Sequence, residues 1–143
     1  MAEEGPLVLD THVWLWVMSG RFDELSMNAL EEVERASAGG RIGIAAISVW
    51  EVAMLERLRR ISLSRPVEDW VSAALRAPGT HLEELSPAIA IESTRLPGEP
   101  PRDPADRMLI ATARIRGGQL ATRDSSILDY AEDGHVRVLD VRA

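Results

Sequence analysis

The chain of 143 residues contains no cysteine. That one absence removes disulfides, thiolate nucleophiles and cysteine-ligated zinc together. Lysine is missing too: all sixteen basic residues are arginine. Any mechanism with an obligatory lysine, the phosphate-cradling P-loop included, is therefore excluded. Histidine is scarce, and His12, His81 and His135 lie far apart with no paired spacing of the HExxH kind. A bound metal would have to be held by carboxylates, a ligand set that suits Mg2+ or Mn2+ better than Zn2+. No apolar run approaches the roughly 18 residues a membrane span requires. Glu3 and Glu4 give the N-terminus the wrong sign for a secretory signal. The expectation is a soluble, cytoplasmic protein with no membrane partner.

What is present suits one domain over residues 1–143, with hydrophobic content near the globular norm at 45%. The net charge of -7 argues against a protein that coats nucleic acid by general electrostatics. It leaves room for a substrate held at one metal-bearing spot.

Pro6 introduces Leu7-Val8-Leu9, three apolar residues that read as a buried strand, and a helix-length apolar pattern follows after a single polar step. Asp10 falls where that strand ends. In an open α/β sheet ligands bind outside the carboxyl ends of the strands. Asp10 is thus either a candidate for chemistry or merely the cap of the next helix. This first helix ends near Ser19-Gly20.

Ser26 begins a second helical pattern, with Leu30, Val33 and Ala36 inward and Glu31, Glu32, Glu34 and Arg35 outward, stopped by Gly39-Gly40. Residues 41–46 read as a short second strand, and Ser48 opens a third helix. Glu51 stands three residues after Ser48, the spacing of a capping box, which offers it a purely structural role. The helix continues through Val52, Met54, Leu55 and Leu58, with Arg57, Arg59 and Arg60 near its end. Those cations complement the helix dipole or form a local positive surface for phosphates.

After a linker from Ile61 to Arg65, Pro66 starts a fourth helix whose stripe is Val67, Trp70, Val71, Ala74 and Leu75. Trp14, Trp16, Trp50 and Trp70 sit at helical positions among aliphatics, which points to core or subunit packing rather than base stacking. Pro78-Gly79 breaks the chain, residues 81–85 read as a third strand, and Pro87 opens a fifth helix through Ala90, Ile91 and Leu96.

The proline-rich segment 97–102 is the one clear loop. It delivers the chain to Asp103 at a helix N-cap, Pro104 at the first helical position and Asp106 within the first turn, where the dipole favours acids. That helix runs through Met108, Leu109, Ile110, Ala111, Ala113 and Ile115 to Gly117-Gly118. Residues 119–122 form a fourth strand. Asp124 follows its end as Asp10 follows the first, and is equally placed to cap a short helix over 125–130. Residues 136–141 alternate as an edge strand does.

Strands alternating with helices predict an α/β fold: a mostly parallel sheet of four to five strands flanked by helices, with right-handed crossovers placing every strand exit on one edge. On that edge lie Asp10, Asp124 and the helix starts bearing Glu51 and Asp106. Each acid alone has a capping explanation. Four carboxylates facing one cavity, however, would repel and raise one another's pKa unless a cation sat among them. Such a site suits a divalent metal, with Mg2+ keeping several waters.

The stretches Leu9-Asp10-Thr11-His12-Val13-Trp14-Leu15-Trp16, Ser48-Val49-Trp50-Glu51, Asp103 to Ala113 and Ala121-Thr122-Arg123-Asp124 together resemble the successive motifs of PIN-domain nucleases. Among these they are most similar to the VapC-type toxins of bacterial toxin-antitoxin pairs. The likeness covers nearly the whole chain in order, and residues 103–113 are its most specific part. It implies a PIN-like three-layer sandwich. It also puts Asp10, Glu51, Asp106 and Asp124 on the family's four acidic positions, as catalytic and metal-holding residues. Asp103 falls on a supporting position, and Thr11 and Thr122 would orient ligands.

The likeness further implies Mg2+- or Mn2+-dependent cleavage of single-stranded or looped RNA, and neutralisation by a VapB-type antitoxin. The toxin would be a homodimer, assembled with antitoxin into a heterotetramer or larger. An antitoxin tail would insert Arg or Lys among the acids and rest its apolar part on the early helices. Arg57, Arg59, Arg60, Arg102, Arg107 and Arg123 are the available phosphate contacts. A haloacid-dehalogenase-type phosphatase would want a second Asp where His12 stands, and also a Lys. A receiver domain likewise depends on a Lys. The remaining rival is a catalytically silent PIN-like module that only binds RNA or a partner.

Overall fold

The computed structural model describes residues 4–143, so that of the acidic N-terminal pair Glu3 lies outside the described residues. Leu7–Leu9 forms β1, with all three side chains buried, as a strand covered on both faces must be. Beyond it come α1 (Thr11–Met18), a single 3-10 turn (Phe22–Glu24), α2 (Met27–Ala38), β2 (Ile42–Ala45) and α3 (Ala46–Arg57). The chain continues through α4 (Val67–Leu75), β3 (Thr80–Glu83), α5 (Pro87–Thr94), α6 (Pro104–Arg116), β4 (Gln119–Thr122), α7 (Ser125–Glu132) and β5 (Val138–Asp140).

The five strands stand in the order β3-β2-β1-β4-β5, and all four neighbouring pairs are parallel. The chain therefore steps outward from β1 on one side, then returns to build β4 and β5 on the other. The reversal falls between β1 and β4, where Leu9 pairs with Ala121. At such a switch point the crossovers diverge and leave a crevice beyond the carboxyl ends of the strands.

Period-two alternation divides β1 between two cores. Leu7 and Leu9 join Ile42, Ile44 and Ala121 against α1, α2, α3 and α4. Val8 and Leu120 join Leu109, Ile110, Ile89 and Ile127 against α5, α6 and α7. The result is the expected helix, sheet, helix sandwich. Trp14 and Trp70 are buried in the first core and meet edge to face, their rings 5.1 Å apart. Trp16 is half-buried and packs against the edge of that core, whereas Trp50 is 56% exposed, so core packing does not account for Trp50.

Gly117 closes α6 in the left-handed conformation (φ 67°), which glycine adopts without a Cβ clash. Gly118, next to it, leaves no room for a side chain: a Cβ there would lie 2.0 Å from the Pro6 carbonyl oxygen.

Several elements differ from the sequence expectation, and β5, at Val138–Asp140, is shorter than the expected 136–141. α3 begins at Ala46, directly after β2, and Ser48 lies buried inside it rather than capping it. β3 covers residues 80–83 instead of 81–85, because its partner β2 ends at Ala45, opposite Glu83. In α5, Ser86 accepts from the Ile89 amide and sets the helix phase. Ile89 and Ser93, four apart, then face inward, while Ile91 is 52% exposed. Leu96, expected within the helix, is buried but belongs to the following loop. Among the described residues no helix is long and apolar enough to cross a membrane.

Candidate active site

The crevice at the switch point is a cavity of about 440 Å³, and Asp10, Glu51, Asp103, Asp106 and Asp124 all line it. Each arrives by a different route. Asp10 is the residue between β1 and α1, and its two oxygens are divided. Oδ1 accepts from the Thr11 amide at 2.7 Å, and Oδ2 from the Thr122 hydroxyl at 2.6 Å. The second bond crosses the β1–β4 seam, so the strand register sets the carboxylate's orientation. Capping and site residence coexist here because a carboxylate has two acceptor oxygens.

Glu51 comes from the second turn of α3. Thr11 Oγ1 lies 2.6 Å from Glu51 Oε1 and 2.9 Å from Ser48 Oγ. An ionised carboxylate only accepts, so the Thr11 proton goes to Glu51 and the Ser48 hydroxyl is left to donate toward Thr11. The capping-box reading of Ser48 and Glu51 is thereby overturned: α3 started two residues early, and Glu51 is free to face the cavity. Ser48 supports the site instead, a role its type and spacing did not announce.

Asp103 caps α6, accepting from the Asp106 amide at 3.0 Å, and this brings Asp106 into the cavity from the first turn. Asp124 caps α7. A single oxygen, Oδ1, receives the Ser126 amide and hydroxyl and the Ile127 amide. Thr122 joins the two strand ends, its hydroxyl donating to Asp10 while its oxygen accepts from the Asp124 amide at 3.0 Å.

The electrostatics follow from this crowding. Burial pushes the Asp10 carboxyl above its ordinary value, against the bonds from Thr122 and Thr11, with Asp124 adding to the rise. Burial raises Glu51 as well, helped by Asp10 and Asp103 and opposed by the Thr11 bond. Asp106 is the extreme case. Burial first, then the charges of Asp103, Asp124, Asp10 and Glu51, push it up to about 7. Near neutrality such a set is short of positive charge at its centre.

The donor set is oxygen only and carries several negative charges, as hard divalent cations require. Among the described residues no three of these side chains form a finished coordination shell. The chain offers donors around a void rather than a closed cage, which fits an ion that keeps part of its water.

Residues 7–133 match the PIN domain family. The chain belongs to that family. It is 34% identical over 132 residues to "Ribonuclease VapC22" of Mycobacterium tuberculosis, an alignment covering 92% of this chain and 97% of that one. Among solved structures its fold resembles that of VapBC2 from Rickettsia felis bound to a promoter DNA fragment, with TM-score 0.65, 11% identity, and 93% and 96% of the two chains covered. DNA-bound VapBC from Salmonella typhimurium gives TM-score 0.63 and 17% identity, with 94% and 96% covered. This PIN domain is therefore of the VapC type.

The rim of the PIN-domain cavity also contains residues other than acids. His12, Leu55 and Arg123 line it with the acids. Of the six arginines held available for phosphate, Arg123 is at the cavity and packs over Trp16. Arg60 lines a neighbouring cavity. Arg107 points elsewhere, donating to the Pro101 carbonyl at 2.6 Å. Arg57, Arg59 and Arg102 are exposed and do not line either cavity.

Proposed function

We propose that this single PIN domain, residues 1–143, is a Mg2+- or Mn2+-dependent endoribonuclease toxin acting in the cytoplasm. It cuts single-stranded or looped RNA and is neutralised by a VapB-type antitoxin. The observation that carries the reading is the convergence of five acids, from four separate parts of the chain, on one cavity. Asp10 and Asp106 would be the main holders of the cation, with Glu51 and Asp124 completing the set and Asp103 in support. A bound divalent ion supplies Lewis-acid charge at the scissile phosphate and acidifies water.

The chain's own contribution is orientation. Thr122 and Thr11 fix one oxygen each of Asp10 and Glu51. Glu51 Oε2 and Asp124 Oδ2, which no described residue occupies with a hydrogen bond, would orient the attacking water or complete the shell of a second cation. With water as the nucleophile the 2'-hydroxyl is idle, and the products carry 5'-phosphate and 3'-hydroxyl ends. Ends bearing 2',3'-cyclic phosphate would refute this.

The antitoxin reading rests on two further features. The acidic cavity attracts an inserted Arg or Lys. A separate apolar cavity of about 450 Å³ lies among Trp14, Val17, Met18, Phe22 and Leu30, on the early helices. A homodimer, joined with antitoxin in a heterotetramer or larger assembly, completes the proposal.

The test is incubation of the purified chain with a mixed RNA pool, with Mn2+ or with EDTA, beside Asp10→Asn. Cutting that requires metal and disappears in Asp10→Asn is expected. Equal cutting by both proteins would expose a contaminant and leave only a silent RNA-binding or partner-binding module.

A further inference from the structure

Beside the acidic cavity, and sharing His12 with it, lies a second cavity of about 390 Å³. Its volume is in the range of small-ligand sites. No carboxylate is among its lining residues; rings and cations take their place. His12 and Trp16, one helical turn apart on α1, present rings 6.2 Å apart and tilted by 33°. The Arg123 guanidinium lies 5.4 Å from the centre of the Trp16 ring, and Arg123 also lines the acidic cavity. Trp16 thus stands at the partition between the two.

The far wall comes from the turn after α3, and that turn carries strain. Arg59 has φ 59°, a left-handed conformation unfavourable for any residue with a Cβ. The Arg59 and Arg60 amides close the helix end onto Glu56 and Leu55, in the Schellman pattern that normally takes glycine. The turn delivers Arg60 and the segment 61–63 to the cavity. Arg21, on the opposite wall, is already paired with Glu24 at 2.7 Å. That leaves Arg60 as the cation for a phosphate.

We propose that this second cavity holds one nucleotide of the RNA beside the phosphate being cut, with its base against Trp16 and its phosphate at Arg60. The proposal rests on the nuclease reading above. Single-stranded RNA is gripped by aromatic rings that stack unpaired bases and by arginines along the backbone, and both elements are present here. The cavity also touches the acidic one, as the subsite for a neighbouring nucleotide must. Trp16 therefore acts in positioning and specificity, outside the bond-breaking step.

The experiment measures binding of a fluorescent single-stranded RNA in EDTA, and in parallel KM and kcat for cleavage with Mn2+. Trp16→Ala should weaken binding and raise KM about tenfold, with kcat changed by less than about twofold. Trp16→Phe, which keeps a ring, should retain most of the affinity. Arg60→Gln should weaken binding severalfold and flatten its salt dependence.

An RNA carrying an abasic residue next to the cut should bind wild-type protein as weakly as intact RNA binds Trp16→Ala, and the two losses should not add. Additive losses, or unchanged binding and KM in Trp16→Ala, overturn the subsite alone. An antitoxin peptide that is weakened while RNA is not has the same consequence. If Trp16→Ala fails to fold, an unaltered Arg60→Gln together with additive losses in Trp16→Phe overturns it. Failure of wild-type protein to bind or cut any RNA overturns the nuclease reading as well.

Discussion

Two sets of acids in this molecule are treated in opposite ways. Away from the crevice, the buried and half-buried carboxylates are matched with arginines. Glu83, only 8% exposed, is held by Arg116 at 2.9 Å and by His81. Glu92 is held by Arg114 at 2.9 Å, and Glu4 by Arg35 and Arg41. In the crevice, Asp10, Glu51, Asp103, Asp106 and Asp124 stand together, and among the described residues none of them forms a salt bridge. A chain with sixteen arginines had the means to neutralise them. Buried charge is compensated everywhere except at one place, where the proposed reading supplies the cation from outside.

The sharpest way to break this contrast is to neutralise one member of each set. Asp106→Asn should reduce metal-dependent RNA cleavage on the order of 10³-fold, while raising the thermal midpoint of the metal-free protein at neutral pH, because a repelled charge has been removed. A fall in both activity and midpoint would mean that Asp106 is structural. Arg116→Ala should do the reverse. It leaves the Glu83 carboxylate with His81 alone and costs about 2 kcal/mol in denaturant unfolding, discounted for a partner that is itself half-exposed, and it leaves kcat near the wild-type value.

Next in size is a pH effect with a definite sign. Asp106 has a folded pKa of about 7 against an ordinary value of 3.8. A raised carboxyl pKa favours the folded state fully only below the lower value, and the advantage is lost as pH rises through the upper one. The metal-free protein should therefore lose stability between about pH 4 and pH 7. Mn2+ should restore it, shifting the thermal midpoint by several degrees at pH 8 and by little at pH 5. A metal shift that did not depend on pH would place the ion elsewhere. The smallest expected change is Arg59→Gly, which relieves a left-handed φ and should stabilise by about 0.5–1 kcal/mol, measured by chemical denaturation.

Much of this was legible along the chain. Local signals located β1, β4 and the caps Ser26, Asp103 and Asp124, because a run of three or four apolar residues or a capping side chain acts within a few residues of itself. Where the outcome depended on distant packing, the reading failed. Glu51 looked like half of a capping box until β2 ran into α3 without a loop and turned Ser48 inward. The run through Ala90, Ile91 and Leu96 left the inward face of α5 open until Ser86 set its phase. Trp16 and Trp14 carry the same side chain two positions apart, so periodicity alone could not say that one fills the core and the other borders a cavity. Arg107 gave no sign that a loop carbonyl would claim it.

Alternating strands and helices, with acids placed just past strand ends and at helix starts, are enough to dictate the α/β sandwich and to nominate Asp10, Glu51, Asp106 and Asp124, since both hydrophobic period and capping are short-range effects. The assembly of those acids around one void was settled only by the order β3-β2-β1-β4-β5. That order places the β1 and β4 ends side by side, so that repulsion and burial reach across as many as 114 positions of chain, from Asp10 to Asp124.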